Sequence, residues 1–179
     1  MKYKRIHITG ASGSGTTSLA NRISKEFGLL HFDTDDLFWE PGDPPYQNII
    51  ELSERQSLLN NVLSNNDTWV ISGSLCGWGD FAIPRFDLVI FLWVPTDIRI
   101  SRLKQREVQN YGKASLSPGG AMYETYTKFI EWASGYDDGG LDMRSKAMHE
   151  LWLKNIPCKV LRYEGEKSME FIIKNLTNH

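Results

Sequence analysis

A chain of 179 residues has room for one sizeable hydrophobic core and little for a second, so one domain spanning residues 1–179 is expected. Its 20 basic and 22 acidic side chains leave a formal charge of −2, which excludes a global field for nucleic acid or anionic membrane and makes any phosphate affinity local. Two cysteines, Cys76 and Cys158, exclude a disulfide framework and a self-contained four-ligand zinc site, and fit reduced thiols.

The chain opens MKYKRIHITG, basic but with an apolar run that glycine ends too early for a signal-peptide core. Residues 5–9 predict a first strand, and beyond a glycine-rich turn Leu19, Ile23 and Phe27 recur at helical spacing. A second strand is expected at 29–33. Ile49, Ile50, Leu52, Leu58, Leu59, Val62 and Leu63 then form a longer amphipathic pattern. Third and fourth strands follow at 68–72 and 87–94. After Pro95, residues 96–109 read as a helix with Ile98, Leu103 and a cluster of basic side chains. Residues 111–142 are rich in glycine and aromatics, with room for a short helix over 121–133. Such a segment suits a lid or binding loop, although a plain surface insertion also fits. A fifth strand is expected at 158–163. Several strands are apolar on consecutive positions, as strands covered on both faces are, and the helices between them imply right-handed crossovers and a parallel sheet. No run approaches the roughly 20 apolar residues of a membrane span. A cytoplasmic protein is expected, and the oligomeric state is left open.

The stretch GASGSGTTSLA carries the first chemical signal. Strand, glycine-rich turn and helix set a row of backbone N–H groups and the positive end of a helix dipole around one point, which suits a polyphosphate. Gly10, Ala11, Ser12, Gly13, Ser14, Gly15, Thr16, Thr17 and Ser18 are the candidate phosphate-binding residues. The pattern GxxxxGK[ST] is met at Gly10, Gly15 and Thr17, whose hydroxyl can serve Mg²⁺, while Thr16 stands in the lysine's place. A threonine supplies a hydrogen bond and no charge, where a lysine places full charge near the β- and γ-phosphates.

Two rivals remain at this point. The turn can merely connect a strand to a helix. A dinucleotide-binding oxidoreductase also fits ITGASGSG, with Asp33 about 20 residues on as a ribose-binding acid. Against it, Ser18 occupies the third-glycine position counted from Gly13, and the Tyr-x-x-x-Lys from Tyr163 to Lys167 is interrupted by Gly165.

With the loop, the second strand and the later basic helix, the chain resembles the P-loop kinase superfamily, in the group that includes adenylate, shikimate and gluconate kinases. More narrowly, ITGASGSGTTSLA, FDTDDLFWEPGDPPY, WVISGSLCGWGD and RSKAMHELWL resemble a bacterial adenylate-kinase-like, or "AAA family ATPase", family that also carries GTT or GTS for GKT. The DTDDLFWEPG stretch is similar to one in proteins called DNA topology modulators. The resemblance implies an α/β three-layer P-loop NTPase fold: a five-stranded parallel sheet flanked by helices, with a lid insertion at about residues 107–144 between the fourth and fifth strands. It also implies ATP or another NTP and Mg²⁺ as cofactors. The extra modules of a mechanical ATPase have no counterpart in this chain.

DTDD ends the second strand, on the side where parallel sheets place ligands. Seven carboxylates and no Lys or Arg lie between His31 and Glu54. By resemblance to shikimate-kinase-like sites, Asp33 is the candidate base or metal partner and Asp35 a substrate contact. Alternatively, Asp33 or Asp35 caps a helix starting near Leu37; Asp36 is expected to be solvated. Phe38, Trp39, Pro44, Pro45 and Tyr46, then Trp78 and Phe81, can stack on an acceptor or simply fill the core. Gly73, Ser74 and Trp78 follow the third strand on the same rim and are candidate substrate contacts, with Cys76 an inert neighbour.

The strand in FDLVIFLWVP resembles a Walker B strand, but Asp87 stands at its beginning, on the wrong rim. Mg²⁺ would depend on Thr17, phosphates, water and Asp33. The helix over 96–109 carries Arg99, Arg102, Lys104 and Arg106, with Lys113 beyond it, against Glu107. Arg102 and Arg106 share a helix face. Lid-bordering arginines of P-loop kinases grip the transferring phosphoryl group, which makes Arg102 and Arg106 catalytic candidates and replacements for the missing lysine; a solvated basic face is the alternative. Arg144 and Lys146 can also swing in on lid closure.

Two classes of function follow. One is an ATP-dependent phosphotransferase acting on a nucleoside monophosphate or a hydroxyl metabolite. The other is a nucleotide-binding regulatory protein with little turnover. The partners expected are a nucleotide and a small-molecule acceptor, with no nucleic acid and no membrane.

Overall fold

The computed structural model describes residues 2–42 and 45–177. Five strands form one sheet in the order β2-β3-β1-β4-β5, every neighbouring pair parallel. They are β1 (Arg5–Gly10), β2 (Leu30–Asp33), β3 (Trp69–Ser72), β4 (Leu88–Trp93) and β5 (Lys159–Glu164). The helices are α1 (Thr16–Phe27), α2 (Asp35–Phe38), α3 (Leu52–Asn65), α4 (Thr96–Ser115), α5 (Tyr123–Ser134), α6 (Lys146–Leu153) and α7 (Met169–Thr177). This is the expected α/β architecture. Dinucleotide-binding sheets seat the second strand beside the first. Here β3 lies there instead, and β2 is at the edge.

Consecutive apolar residues in β4 explain the layering. Leu88, Ile90 and Leu92 point to one face, where they pack with Ile6, Ile8, α1 and α7 through Leu19, Ile23, Ile172 and Leu176. Val89 and Phe91 point to the other, against α3 and α6 through Leu59, Leu63, Trp152 and Leu153. A strand alternates its side chains, so a strand covered twice must be apolar at both parities. Apolar side chains dominate both layers at strand level, and the clustered carboxylates stand at the strand ends.

Some elements differ from expectation. The amphipathic pattern begins at Ile49, but α3 starts only at Leu52, because Ile49 pairs with Trp39 in an antiparallel bridge and Glu51 caps the helix by accepting from the Ser53 amide. The helix after Pro95 runs on to Ser115 with a break at Gly112, whose φ of 76° and ψ of 153° redirect the chain toward α5. Among the described residues, no helix is long and apolar enough to cross a membrane. Met1, Asp43 and Pro44, which figure in the sequence expectations, lie outside the described residues.

Candidate active site

The glycine loop closes β1 onto α1. At Gly10 a side chain would overlap the Leu92 carbonyl oxygen, and at Gly13, where φ is 81°, it would meet the Arg99 carbonyl oxygen at 2.8 Å. Glycine is therefore required at both positions for the loop to lie against β4 and α4. The Ser14 amide donates to the Ala11 carbonyl at 3.1 Å, closing the turn. Gly15 caps α1, and Thr16, Thr17 and Ser18 form its first turn, where backbone N–H groups have no acceptor within the helix. Among the described residues the buried Ser14 hydroxyl has no hydrogen-bond partner. A row of unpaired donors at a helix start suits an anion.

Asp33 ends β2 directly across from this turn. Its Oδ2 accepts from the Thr17 hydroxyl at 2.8 Å and from the Ser72 hydroxyl at 2.9 Å, and its Oδ1 accepts from the Asp35 amide at 3.1 Å. The last bond turns the chain into α2, so Asp33 both organises that short helix and faces the loop. Behind it, His31 Nε2 lies 2.9 Å from the Ser72 hydroxyl and His31 Nδ1 lies 3.1 Å from Asn21 Oδ1. Asp35 opens α2, and its carboxyl is held above the usual carboxylate range, first by desolvation and then by the Asp33 charge, with Arg144 and Arg106 pulling the other way. Among the described residues no group of three or more His, Cys, Asp or Glu can hold a metal by itself. Thr17 and Asp33 are hard oxygen donors already side by side, which fits Mg²⁺ completed by phosphate and water.

The rim beyond β3 is shaped by side chains. At Gly73, φ is 109° and a Cβ would overlap the Thr34 hydroxyl, so this glycine serves the packing of buried Thr34 as well as the rim. Ser74 turns inward to His149 Nε2 at 3.1 Å, and the Trp78 indole donates to the Ser74 carbonyl at 2.9 Å. Trp78 is 6% exposed and meets Phe38 edge to face, Phe38 meets Trp39, and Trp39 meets Tyr46. The expected aromatics thus gather, except Phe81, which is exposed on the 3-10 turn Asp80–Arg85. The Arg55 guanidinium lies 4.3 Å from the Phe38 ring centroid and 5.6 Å from that of Trp78, and among the described residues its buried Nε has no hydrogen-bond partner. Nothing in the sequence flags Arg55 except that it is the first cation after the acidic stretch. Burial pushes the Cys76 thiol up to about 11, so it stays protonated and unreactive near neutral pH.

The arginines divide sharply. Arg99 is fully buried and committed: it donates to the carbonyls of Val94, Ser12 and Ala133 and pairs with Asp137 at 3.4 Å. Arg102 pairs with Glu166 at 2.6 Å and borders a cleft of about 310 Å³ lined also by Gly15, Ser18, Val94 and Tyr163. One turn on, Arg106 pairs with Glu107 at 2.9 Å and lies over Phe129, on the side where its charge acts on Asp35 and Tyr46. The shared helix face therefore serves two places: Arg102 the cleft beside α1, Arg106 the acidic rim. Arg144 lies against the loop itself, donating to the Ser12 hydroxyl at 2.8 Å and stacking 4.7 Å from the Trp132 centroid. Lys146 points elsewhere, over Trp93. Asp87 is at the opposite rim, bonded to Arg5 and the amides of Lys4 and Arg5.

Residues 6–120 match the AAA domain family. The chain is 45% identical over 166 residues to a Bacillus subtilis protein named "Uncharacterized protein YqaC", covering 93% of this chain and 91% of that one. It is 25% identical over 119 residues to a cytidylate kinase of Methanoregula boonei, covering 58% of this chain and 61% of that one. A shikimate kinase from Acinetobacter baumannii shares the fold with a TM-score of 0.54 at 12% identity, over 99% of this chain and 94% of the other. Loop, sheet order and these likenesses agree: the chain belongs to the AAA domain family and is a member of the kinase-like P-loop superfamily.

Proposed function

We propose that this protein is a cytoplasmic, ATP-dependent phosphotransferase acting on a small molecule, either a nucleoside monophosphate or a hydroxyl metabolite. The observation that carries this reading is the 2.8 Å bond between Thr17 of the loop and Asp33 at the end of β2. It sets the Thr17 hydroxyl beside the Asp33 carboxylate, the two oxygens that a phosphate-bound Mg²⁺ would take, and Asp33 is also the carboxylate best placed to meet an acceptor. Bound Mg²⁺ would offset negative charge on the phosphates.

In this reading the amides of Gly15 to Ser18 hold the phosphates, and the cleft bordered by Arg102 takes the base of the nucleotide. The acceptor lies between Asp33, Asp35 and the rim of Phe38, Trp39 and Trp78, with Gly73 and Ser74 shaping the floor. For a hydroxyl acceptor, Asp33 receives the proton of the acceptor oxygen as that oxygen forms its bond to the γ-phosphorus; the phosphate oxygen of a nucleoside monophosphate is already ionised near neutral pH and attacks without that transfer. The bond from that phosphorus to the bridging oxygen breaks, and ADP leaves. Arg106, close enough to act on Asp35, offsets charge on the acceptor side. The segment over residues 107–144 acts as the lid.

Incubation of the pure protein with γ-labelled ATP, Mg²⁺ and a panel of nucleoside monophosphates and small hydroxy acids tests this directly. Acceptor-dependent transfer is the expected result. ATP binding without transfer to any member of the panel would favour a second reading, a nucleotide-binding regulatory protein, which one observation supports: Thr16 brings no charge to the loop.

A further inference from the structure

We propose that Arg144, supplied from the far side of the lid segment, is the resident cation of the phosphate loop and takes the place of the lysine absent at position 16. This rests on the reading of the loop as a nucleotide phosphate site.

Four observations converge on it. First, the guanidinium already touches the loop, donating to Ser12 at 2.8 Å across 132 residues of sequence. Second, its position is built. Lys146 donates its amide to the Tyr136 carbonyl at 2.8 Å, Ser145 donates to the Gly140 carbonyl at 2.6 Å and caps α6, and Trp132 covers the guanidinium. Third, its charge is unspent. Arg99, Arg102 and Arg106 each have a carboxylate within ion-pair distance, whereas among the described residues Arg144 has none. Burial lowers its proton affinity, and the more distant charges of Asp35 and Asp33 restore part of it. A part-buried cation without a contacting counter-ion is costly, and a polyanion arriving at the loop relieves that cost. Fourth, position 16 is a threonine on the first turn of α1, so no second cation from the loop competes for the same phosphates.

The charge is therefore delivered by tertiary structure rather than by the loop's own sequence. Phosphate affinity then depends on the lid segment being docked, which a loop lysine would not require. A lysine introduced at 16 and the arginine at 144 would serve the same phosphates, so each should be redundant in the presence of the other.

The experiment is a four-member cycle read by calorimetric ATP binding with Mg²⁺: wild type, Thr16→Lys, Arg144→Met and the double variant. Arg144→Met should weaken ATP binding by about 10- to 100-fold, the range expected for losing a charge-assisted contact, and leave adenosine binding unchanged. Arg144→Lys should retain most of the affinity, which separates charge from packing if the methionine variant folds poorly. Thr16→Lys should gain little or lose affinity in the wild-type background but recover ATP binding in the Arg144→Met background. ATP affinity unaffected by Arg144→Met overturns the proposal, as does a Thr16→Lys gain equal in both backgrounds. Because the readout is binding, these outcomes stand apart from the acceptor-transfer assay. Absence of transfer removes the phosphotransferase reading without touching Arg144, and an indifferent Arg144 removes this proposal without touching transfer.

Discussion

The two halves of the site are built by different means. The proposed phosphate side is mostly main chain: glycines at 10, 13 and 15 let a strand pass into a helix so that amides line the turn. The proposed acceptor side is mostly side chain, assembled from α2, α3 and the segment after β3, with aromatic rings framing Arg55 and carboxylates framing the opening. A backbone cradle recognises what every nucleotide shares. A wall of side chains can be changed one residue at a time, so selectivity belongs on that side.

The largest expected effect breaks the link between the halves. Asp33→Asn keeps an acceptor oxygen for Thr17 or Ser72 but cannot take a proton, so kcat should fall by roughly 10²- to 10⁴-fold. Metal-free ATP binding should change little. A parallel loss of metal-free ATP affinity in calorimetry would mean that Asp33 serves the cradle rather than the chemistry.

Arg55→Met sharpens the contrast from the acceptor side. Its guanidinium lies over Phe38 and Trp78, and among the described residues its buried Nε has no hydrogen-bond partner, an arrangement that suits an anion. The KM for the acceptor should rise by about 10- to 100-fold, the range for a charge-assisted contact, with ATP affinity unchanged. An unchanged KM accompanied by a lower melting temperature would reduce Arg55 to a packing residue.

The same division explains what the sequence reveals. Strands expected at 5–9, 68–72 and 87–94 are found at Arg5–Gly10, Trp69–Ser72 and Leu88–Trp93, because double coverage forces long apolar runs that stand out. The loop is equally visible, since its glycines are a local requirement. Arg144 at Ser12 and Arg55 under Phe38 are long-range facts: the side chain is ordinary, and only the fold supplies its neighbour. Arg102 and Arg106 look equivalent by helical spacing, yet Glu166 claims one and Glu107 the other. Helices α6 and α7 lie outside the elements expected from the sequence, although Ile172, Ile173 and Leu176 bury the inner face of α7 at helical spacing.

A smaller effect on the cradle should follow Gly13→Ala. With φ at 81° and a Cβ 2.8 Å from the Arg99 carbonyl, alanine strains the loop by about 1–3 kcal/mol. Chemical denaturation should register that loss, and ATP binding should weaken while any acceptor binding survives. Equal weakening of both ligands would show that the halves are not independently built.

The smallest effect near neutral pH lies at the seam. His149 is buried on α6, where its Nε2 reaches Thr9 at 3.3 Å behind the loop and Ser74 at 3.1 Å on the acceptor rim, while its Nδ1 meets the Tyr136 hydroxyl at 2.7 Å. Burial, then the Arg144 charge, lowers it from 6.5 to about 3; burial, then His149, does the same to His7, stacked on Phe86 within the α3 and α6 layer. Both imidazoles stay neutral in the folded chain at pH values where the unfolded chain protonates them. The unfolded state thus binds more protons between about pH 3 and 6.5, and stability falls as pH drops through that window. Above about 6.5 these groups contribute a constant amount. Melting temperature should therefore be flat with respect to these histidines from pH 8 to 7 and decline below about 6.5. His149→Gln, which keeps polar atoms at the seam but cannot protonate, should make that acid decline shallower. An unaltered decline would mean that groups other than His149 set the acid limit.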